Sequence, residues 1–415
     1  MSEVLRTDVL VIGAGPAGLS AALTAARAGA AVLVADALPS AGGQIWRGAT
    51  AQSPGEAGAV LKALATEPRV EVLAGASVRW TEPDRTVVLS TSQGLRRVKA
   101  GAIILATGAT ERYMPFPGWT LPGVVGAGGL QALTKSGLDV TGQRVVVAGT
   151  GPLLLAVAQS LRQKGARVLG VAEQAPWRSL VRMGAHAATQ PGKGVQAARM
   201  MLGLLGVPVW PDTYPIHATG TERVEAVTLR RGGRDTTLPC DWLAVGFGLV
   251  PEVRVARMLG CAVAGGAVQV DASQRTSVTG VYAAGEVTGI GGADQARFEG
   301  LIAGLSAVGQ SPPHGHAAEA ARHAAFAALL DSAFALRDEV RALPAADTVV
   351  CRCEDVTHGE LRRKAHWEEA KLHTRCGMGA CQGRTCAPIT AALYGWSPPA
   401  PRPPLLPTPL EDLMS

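Results

Sequence analysis

Short uninterrupted runs of apolar residues alternate with amphipathic stretches along the first part of the chain. The run DVLVI at residues 8–12 is rich in β-branched residues, which predicts a strand buried on both faces. The alanine-rich stretch that follows has helical periodicity, and AVLVAD predicts a second buried strand that ends at Asp36. This order of strand, helix and strand predicts an α/β fold with a parallel sheet.

A glycine-rich turn, GAGPAG, joins the first predicted strand to the helix. Gly13 permits the tight turn, Gly15 lets a pyrophosphate approach the backbone, and Gly18 lets the helix pack closely on the strand. Pro16 and Ala17 complete the turn at the start of the helix, where unpaired N–H groups favour phosphate binding. The turn therefore predicts a dinucleotide site.

Asp36 lies 18 residues after Gly18, where it can hydrogen-bond a ribose hydroxyl. The alternative is an ordinary βαβ unit with a glycine turn. Strand, helix and acid all fall where a dinucleotide site requires them, which favours the functional interpretation. Because the pattern begins within a few residues of the N-terminus, it favours FAD over NAD.

Residues 143–173 repeat this pattern as QRVVVAG, GTGPLL and ARVLGVAE. Gly149 and Gly151 match the first two glycines, but Leu154 replaces the third. Glu173 stands at the strand end, where a ribose-binding acid is expected. Leucine at the third position obstructs close packing of the helix on the strand. We predict that this second domain keeps the fold, and its ligand stays open between NAD(P), ADP or ATP, and none.

Composition narrows the class of protein. The chain has 415 residues, is 47% hydrophobic and contains 51 glycines, which predicts a globular α/β protein of two or three domains. The net charge is +6, but no basic run with interleaved aromatic residues is present, which argues against nucleic-acid binding. No stretch reaches about 18 uninterrupted apolar residues, so we expect no transmembrane segment. The seven cysteines are clustered rather than spread as a disulfide framework, so we expect a cytoplasmic protein.

Five of the cysteines lie in the last 65 residues. Cys351 and Cys353 form a C-x-C pair, and Cys381 and Cys386 form a C-x4-C pair. Four thiolates suit zinc or an iron–sulfur cluster. We favour the cluster, because a flavin-type domain upstream would provide it with electrons.

Cys376 also precedes Cys381 by a C-x4-C spacing, so 376/381 is a second possible ligand pair. Cys240 and Cys261 stand alone and are predicted to be small buried core residues. No redox dithiol precedes Cys240, which argues against a thiol–disulfide enzyme.

Three further segments resemble those of the two-dinucleotide-domain flavoproteins: AGGQIWR at 41–47, AIILATGATERYMPFPG at 102–118 and TSVTGVYAAGEVTGIGG at 276–292. In that superfamily the third segment places an acid beside the flavin ribityl chain, and Glu286 stands where aspartate is commoner. The FAD-binding residues that the turn and this resemblance imply are Gly13, Gly15, Pro16, Ala17, Gly18, Asp36, Gly43, Gln44, Arg47, Thr107, Gly108, Gly285 and Glu286.

Residues 349–390 resemble the bacterioferritin-associated-ferredoxin type of [2Fe–2S] domain, which is a small helical unit. In EDVTHGEL, Thr357 is a predicted helix N-cap, and Glu360 completes a capping box. The family pattern usually places a non-ligand at the position of Cys376. The cluster ligands that the resemblance implies are Cys351, Cys353, Cys381 and Cys386.

Residues 5–395 resemble the α-type subunits of opine, hydroxyproline and cyanide-forming glycine dehydrogenases. The motifs that carry the resemblance are AGGQIWRG, ATGATERYMPFPGWTLPGVVGAGGLQ and TRCGMGACQGRTC. These subunits are related to the α-type chain of sarcosine oxidase. The resemblance implies a two-dinucleotide-domain α/β flavoprotein with an inserted Rossmann-like domain and a small C-terminal α-helical [2Fe–2S] domain. The predicted segments are 1–135 and 246–315 for the FAD-binding domain, 136–245 for the inserted domain, 316–345 for a helical linker, 346–395 for the [2Fe–2S] domain and 396–415 for a proline-rich tail.

The resemblance further implies an oxidoreductase that acts on CH–NH or CH–NH2 donors within a hetero-oligomer. A catalytic β subunit, similar to D-amino-acid oxidase, would oxidise an opine, hydroxyproline, proline or glycine-type substrate, and this chain would relay the electrons. A small ferredoxin-like γ subunit would be a separate chain, and an FMN could lie at an interface between subunits. No catalytic residue is assigned to this chain. Two alternatives are a self-contained NAD(P)H-dependent flavin/[2Fe–2S] reductase and an assembly subunit that holds ADP or ATP.

Overall fold

The protein is represented by a computed structural model, which describes residues 4–188, 194 and 199–410. The chain forms two compact units. One contains residues 1–110, 250–327 and 399–415, and the other contains residues 111–249 and 328–398. Both units are discontinuous in sequence, because the second interrupts the first. The six segments named above stay a prediction.

A seven-stranded sheet forms the centre of the first unit, with strand order β3-β2-β1-β6-β5-β4 and with β19 paired to β6. Strands β1, β2, β3, β6 and β19 pair in parallel, whereas β5 pairs antiparallel with β6 on one side and with β4 on the other. The strands are β1 Val4–Ile12, β2 Val32–Asp36, β3 Val70–Ala74, β4 Ser77–Glu82, β5 Thr86–Thr91, β6 Gly94–Leu105, β17 Val263–Ala264, β18 Ala267–Val268 and β19 Val281–Ala283. The helices are α1 Pro16–Arg27, α2 Glu56–Thr66, α6 Arg254–Met258, α7 Ala293–Ala307 and, ending beyond the unit, α8 His316–Ala333.

Two helices of the first unit, α1 and α7, approach each other closely because glycine stands at their contact. A Cβ atom at Gly300 would lie 2.2 Å from the carbonyl oxygen of Ala17, and one at Gly304 would lie 2.6 Å from that of Ala21. Both positions therefore require glycine for this packing. The contact brings the segment that precedes α7 next to the glycine turn that precedes α1.

A five-stranded parallel sheet forms the centre of the second unit, with strand order β11-β10-β9-β15-β8. A three-stranded antiparallel sheet, β12-β13-β14, and the short pair β20–β21 complete its strands. These strands are β8 Val124–Gly126, β9 Arg144–Thr150, β10 Arg167–Glu173, β11 Val209–Trp210, β12 Thr213–Thr219, β13 Ala226–Arg231, β14 Arg234–Pro239, β15 Trp242–Phe247, β20 Val349–Cys351 and β21 Val356–Thr357. The helices are α3 Ala127–Lys135, α4 Leu153–Gln163, α5 Trp177–Ala188, α9 Asp338–Arg341, α10 His358–Leu361, α11 Trp367–Thr374 and α12 Cys386–Tyr394. The chain passes between the units at β7 Ala109–Glu111, at β16 Leu249–Pro251, within α8 and after Pro398.

The C-terminal cysteine segment belongs to the core of the second unit. Phe116 and Trp119, from the loop before β8, lie in one continuous cluster of buried side chains with Cys351, Cys376 and Cys386. The cysteine segment is thus packed against the loop before β8, within the second unit. Among the described residues, no helix combines the length and the apolar character that crossing a membrane requires.

Candidate cofactor sites

The turn between β1 and α1 has no room for side chains at its first and last glycines. Gly13 has φ of +110°, and a Cβ there would lie 2.2 Å from the carbonyl oxygen of Ala106. A Cβ at Gly18 would lie 1.8 Å from the carbonyl oxygen of Gly13. The helix can therefore approach the strand only because both residues are glycine.

The second glycine of this turn faces open space. No atom lies within 4 Å of the position that a Cβ of Gly15 would occupy. Among the described residues no acceptor takes the N–H of Gly15, and no side chain caps α1. Asp36, which is 9% exposed, accepts hydrogen bonds from the N–H groups of Ala14, at 2.5 Å, and Leu38, at 2.7 Å. This cradle fits a dinucleotide pyrophosphate on the helix N-terminus and a ribose beside the carboxylate.

The loop at residues 41–47 lies directly against this turn. The N–H of Gly42 donates to the carbonyl oxygen of Ala14 at 2.8 Å. A Cβ at Gly43 would lie 2.9 Å from the Cα of Gly15, so the loop comes this close only with glycine. The guanidinium of Arg47 donates to Oε1 of Gln44 at 2.9 and 3.2 Å.

The third predicted segment meets the same turn through Gly285. A Cβ there would lie 2.7 Å from the Cβ of Ala17. The neighbouring Glu286 is half-buried, burial raises the pKa of its carboxyl, and none of the described residues hydrogen-bonds to that carboxyl. At the end of β6, the Thr107 hydroxyl donates to the carbonyl oxygen of Glu252 at 2.6 Å, and Gly108 has φ of +69°. All the predicted FAD-binding residues therefore lie in the first unit.

Glu299 on α7 is a buried residue of this site that no sequence motif indicates. Its carboxylate accepts hydrogen bonds from the N–H of Gly285 at 2.8 Å, the hydroxyl of Thr288 at 2.7 Å and the amide of Gln295 at 2.7 Å. Burial raises the pKa of Glu299, and these three donors oppose the shift. Glu299 thus holds the loop that carries Glu286.

In the corresponding turn of the second unit, the first glycine is confined in the same way as Gly13. The N–H of the second glycine, however, has a hydrogen-bond acceptor. A Cβ at Gly149 would lie 1.9 Å from the carbonyl oxygen of Gly246, while the Cβ position of Gly151 is open. Leu154, in the third glycine position, is 1% exposed. Glu173 accepts hydrogen bonds from the hydroxyl of Thr150 and from the N–H of Gly151, both at 2.7 Å. The carboxylate thus accepts the hydrogen bond that a bound phosphate would otherwise accept.

Glu173 also accepts from the N–H of Ala175 at 2.8 Å and is 4% exposed. Burial raises its pKa to about 7, against the lowering effect of its three donors. The N–H of the second glycine is therefore satisfied within the protein in this turn, which distinguishes it from the first.

Three buried thiols form the centre of the cysteine segment. The sulfur atoms of Cys351, Cys376 and Cys386 all lie within 4.8 Å of one another, and each residue is at most 1% exposed. The half-buried Cys381 contacts the thiols of Cys386 and Cys353, and Cys353 is exposed. The structure thus brings the four predicted ligands into one contiguous set. It also places Cys376, which the family pattern sets aside, at the centre of that set.

Backbone N–H groups point at these sulfur atoms. Contacts from the other thiols, Cys376 first, and the N–H groups of Gly377 and Glu354 lower the pKa of Cys351 to about 2. The N–H groups of Thr385 and Gly383 likewise donate to Cys381, whose pKa is lowered to about 4, chiefly by its contact with Cys386. Thiolates with N–H donors are the usual ligands of iron–sulfur clusters, so the donor set fits a [2Fe–2S] group.

Two glycines let the loop that carries the cysteines pack closely against Trp367 and Cys353. Gly377 has φ of +80°, and a Cβ there would lie 2.6 Å from the Trp367 ring. A Cβ at Gly379 would lie 2.4 Å from the Cβ of Cys353. The predicted capping box is confirmed, because Thr357 and Glu360 exchange side-chain and backbone hydrogen bonds at the start of α10.

Trp119, in the loop before β8, contacts the strand that carries the first thiol. Its indole N–H donates to the carbonyl oxygen of Val349 at 2.6 Å, two residues before Cys351. The guanidinium of Arg352 lies 5.1 Å from the Trp119 ring centroid and donates to the carbonyl oxygen of Thr120 at 3.1 Å. Sequence patterns did not indicate this tryptophan, because its partner lies 230 residues away.

Residues 7–319 match the family model of the pyridine nucleotide-disulphide oxidoreductases. The chain belongs to this family. It is 35% identical over 420 residues to an opine oxidase subunit of Rhizobium meliloti (strain 1021), with 93% of this chain and 92% of that protein covered. It is 31% identical over 418 residues to the HcnB subunit of hydrogen cyanide synthase from Pseudomonas aeruginosa, with 91% and 90% covered.

Among solved structures, L-proline dehydrogenase from P. horikoshii superposes with a TM-score of 0.71 at 19% identity, covering 100% of this chain and 81% of that one. The predicted α/β flavoprotein fold and the resemblance to the opine oxidase and cyanide-forming group are confirmed. The prediction of an oxidoreductase is confirmed as well, and family membership implies FAD as its cofactor.

Proposed function

We propose that this chain is the flavin and [2Fe–2S] electron-transfer subunit of a heteromeric dehydrogenase that oxidises an amine or imino acid. The observation that carries the proposal is the presence, in one chain, of an open dinucleotide turn at Gly15 and a contiguous set of thiols around Cys351. The similarity to proteins named as subunits of opine oxidase and hydrogen cyanide synthase extends over more than 90% of the chain and supports the substrate class.

FAD would be held by the glycine turn, the loop at 41–47 and the segment around Gly285. The N–H of Gly15 and the first turn of α1 would bind the pyrophosphate, and Asp36 would accept from the ribose. Glu286 would face the ribityl chain from the loop that Glu299 holds. FAD supplies two-electron chemistry and a [2Fe–2S] cluster exchanges single electrons, so their combination would convert hydride oxidation into single-electron flow.

Cys351, Cys353, Cys381 and Cys386 would ligate the cluster. The N–H groups of Gly377 and Gly383 favour the thiolate forms of Cys351 and Cys381, and they would raise the reduction potential of the group. Trp119 and Arg352 would keep the first ligand strand in place against the loop before β8. Zinc is the competing occupant of a four-thiolate site.

The amine would be oxidised in a separate catalytic β subunit that is similar to D-amino-acid oxidase and carries its own flavin. A small ferredoxin-like γ subunit, together with an FMN at an interface between subunits, would complete the complex. Such a chain would need no amine pocket of its own, and no catalytic residue is assigned to it.

Co-purification tests this proposal. The tagged chain, expressed with the products of its neighbouring genes, should carry FAD, iron and labile sulfide and should reduce an artificial one-electron acceptor when a secondary amine or amino acid is added. A complex without flavin, or one that contains zinc in place of iron, would contradict the assignment.

A self-contained NAD(P)H-dependent reductase is the second candidate, because the Cβ position of Gly151 faces open space in the second turn. Against it, the carboxylate of Glu173 occupies the N–H of Gly151, and a carboxylate there would repel a pyrophosphate. Anaerobic addition of NADH or NADPH separates the two functions. We expect the flavin absorbance to persist with either nucleotide and to bleach when the amine substrate is added to the complex.

A further inference from the structure

Five thiols surround a site that needs four ligands, and their positions are not equivalent. Cys351, Cys376 and Cys386 form the buried group, with sulfur atoms within 4.8 Å of one another. Cys381 is half-buried and contacts Cys386, whereas Cys353 is exposed. One thiol therefore exceeds the number that a [2Fe–2S] cluster requires.

We propose that Cys376 is a reserve ligand that replaces Cys353. This inference rests on the proposed [2Fe–2S] function, and it concerns the choice among this chain's own thiols. In the exchange the Cys376 thiol loses its proton and binds iron, while the released Cys353 thiolate takes up a proton. No electron is transferred, and the number of iron–sulfur bonds is unchanged.

Contiguity is the reason that Cys353, rather than Cys381, is the thiol replaced. Without Cys353, the remaining thiols still form an unbroken series, because Cys376 contacts Cys351 and Cys386, and Cys386 contacts Cys381. Without Cys381, the Cys353 thiol loses the one thiol that it contacts among the described residues. Only the first arrangement leaves four neighbouring ligands.

Exposure supports the same choice. Cys353 is the only thiol of the five that is exposed, so it is the ligand that oxidants and exchanging thiols in solution reach first. Cys376 is 0% exposed and lies at the base of the site, beside Gly377 and against the same buried core. A cluster that moved onto Cys376 would move inward, away from solvent.

The test compares single and double variants of the full chain, purified with its partner subunits and assayed for iron and labile sulfide and by electron paramagnetic resonance of the reduced state. Cys353→Ser should keep the iron content of the wild type, with altered resonance positions because one ligand has changed. Cys376→Ser should keep both the iron and the wild-type spectrum. The double variant Cys353→Ser/Cys376→Ser and the single variant Cys381→Ser should lose the cluster.

Loss of iron in Cys353→Ser, or unchanged iron in the double variant, would overturn the inference. Cys353 is exposed, so serine there removes no core packing, and Cys376→Ala repeats the double variant without placing a hydroxyl in the core. Cys240→Ser, a change at a buried cysteine outside the thiol group, is the matched control and should keep the cluster. Iron missing from the wild type itself would instead refute the proposed function.

Discussion

The two glycine turns of this protein begin from the same pattern and end in different chemistry. Both follow an inner strand that has a parallel neighbour on each side. In both, a Cβ at the first glycine would clash with a backbone carbonyl oxygen, at 2.2 Å for Gly13 and 1.9 Å for Gly149. In the first turn the N–H of Gly15 has no acceptor among the described residues, whereas in the second the N–H of Gly151 donates to Glu173. A dinucleotide-binding fold is thus compatible with a free phosphate site and with one in which a carboxylate of the protein itself accepts the N–H.

The length of the acid explains part of the difference. Asp36 reaches the N–H of Ala14, between the two glycines, whereas Glu173 has one more methylene and reaches both the hydroxyl of Thr150 and the N–H of Gly151. The third position explains the rest, because Leu154 fills the space that Gly18 leaves for close helix packing. Two turns of the same fold therefore differ in whether the N–H of the second glycine has an acceptor among the described residues.

Exchanging the third residue between the turns should produce the largest effect. Gly18→Leu places a Cβ 1.8 Å from the carbonyl oxygen of Gly13, so α1 must move and FAD binding should be abolished. The reverse change, Leu154→Gly, removes a buried side chain and should cost about 2–5 kcal/mol of stability while leaving the flavin in place. Flavin absorbance and urea unfolding of both variants provide the measurement, and full flavin occupancy in Gly18→Leu would contradict the comparison.

Removing each acid should separate stability from binding. Glu173→Ala leaves three buried donors unpaired, so the free energy of unfolding should fall by about 2–5 kcal/mol, with unchanged flavin content. Asp36→Ala leaves the N–H groups of Ala14 and Leu38 without their acceptor, and it should in addition reduce flavin affinity, because Asp36 would accept from the ribose. Equilibrium unfolding and the flavin-to-protein ratio distinguish these outcomes. Loss of flavin in Glu173→Ala alone would reverse the roles that we assign to the turns.

The smallest expected effect is a pH dependence from Glu173. Its pKa is raised from 4.5 to about 7 in the folded protein, so the folded state holds the proton more tightly than the unfolded state. The stability that this provides is complete below the unfolded pKa and is lost as pH rises through about 7. In Glu173→Gln, which cannot ionise, the fall in unfolding midpoint between about pH 5 and about pH 8 should be smaller. An identical pH profile in both proteins would argue against this titration.

Local sequence predicted the features whose partners lie nearby in the chain. The strand–turn–helix pattern around Gly13 and Gly18, and the capping box of Thr357 and Glu360, depend on residues only a few positions apart. Glu299 and Trp119 could not be predicted in this way. Their partners are brought to them by packing between distant segments, and neither residue belongs to a spacing that indicates its role.

The sequence by itself determined the fold, the family and the presence of a thiol site, because glycine positions and cysteine spacings carry that information directly. Only the tertiary structure decided which turn has its N–H already occupied and which thiols are buried. Those two outcomes depend on where a carboxylate and five sulfur atoms lie after the chain has packed. Glu173 reaches across its own turn, and Cys376 joins Cys351 and Cys386 because the core of the second unit brings them together.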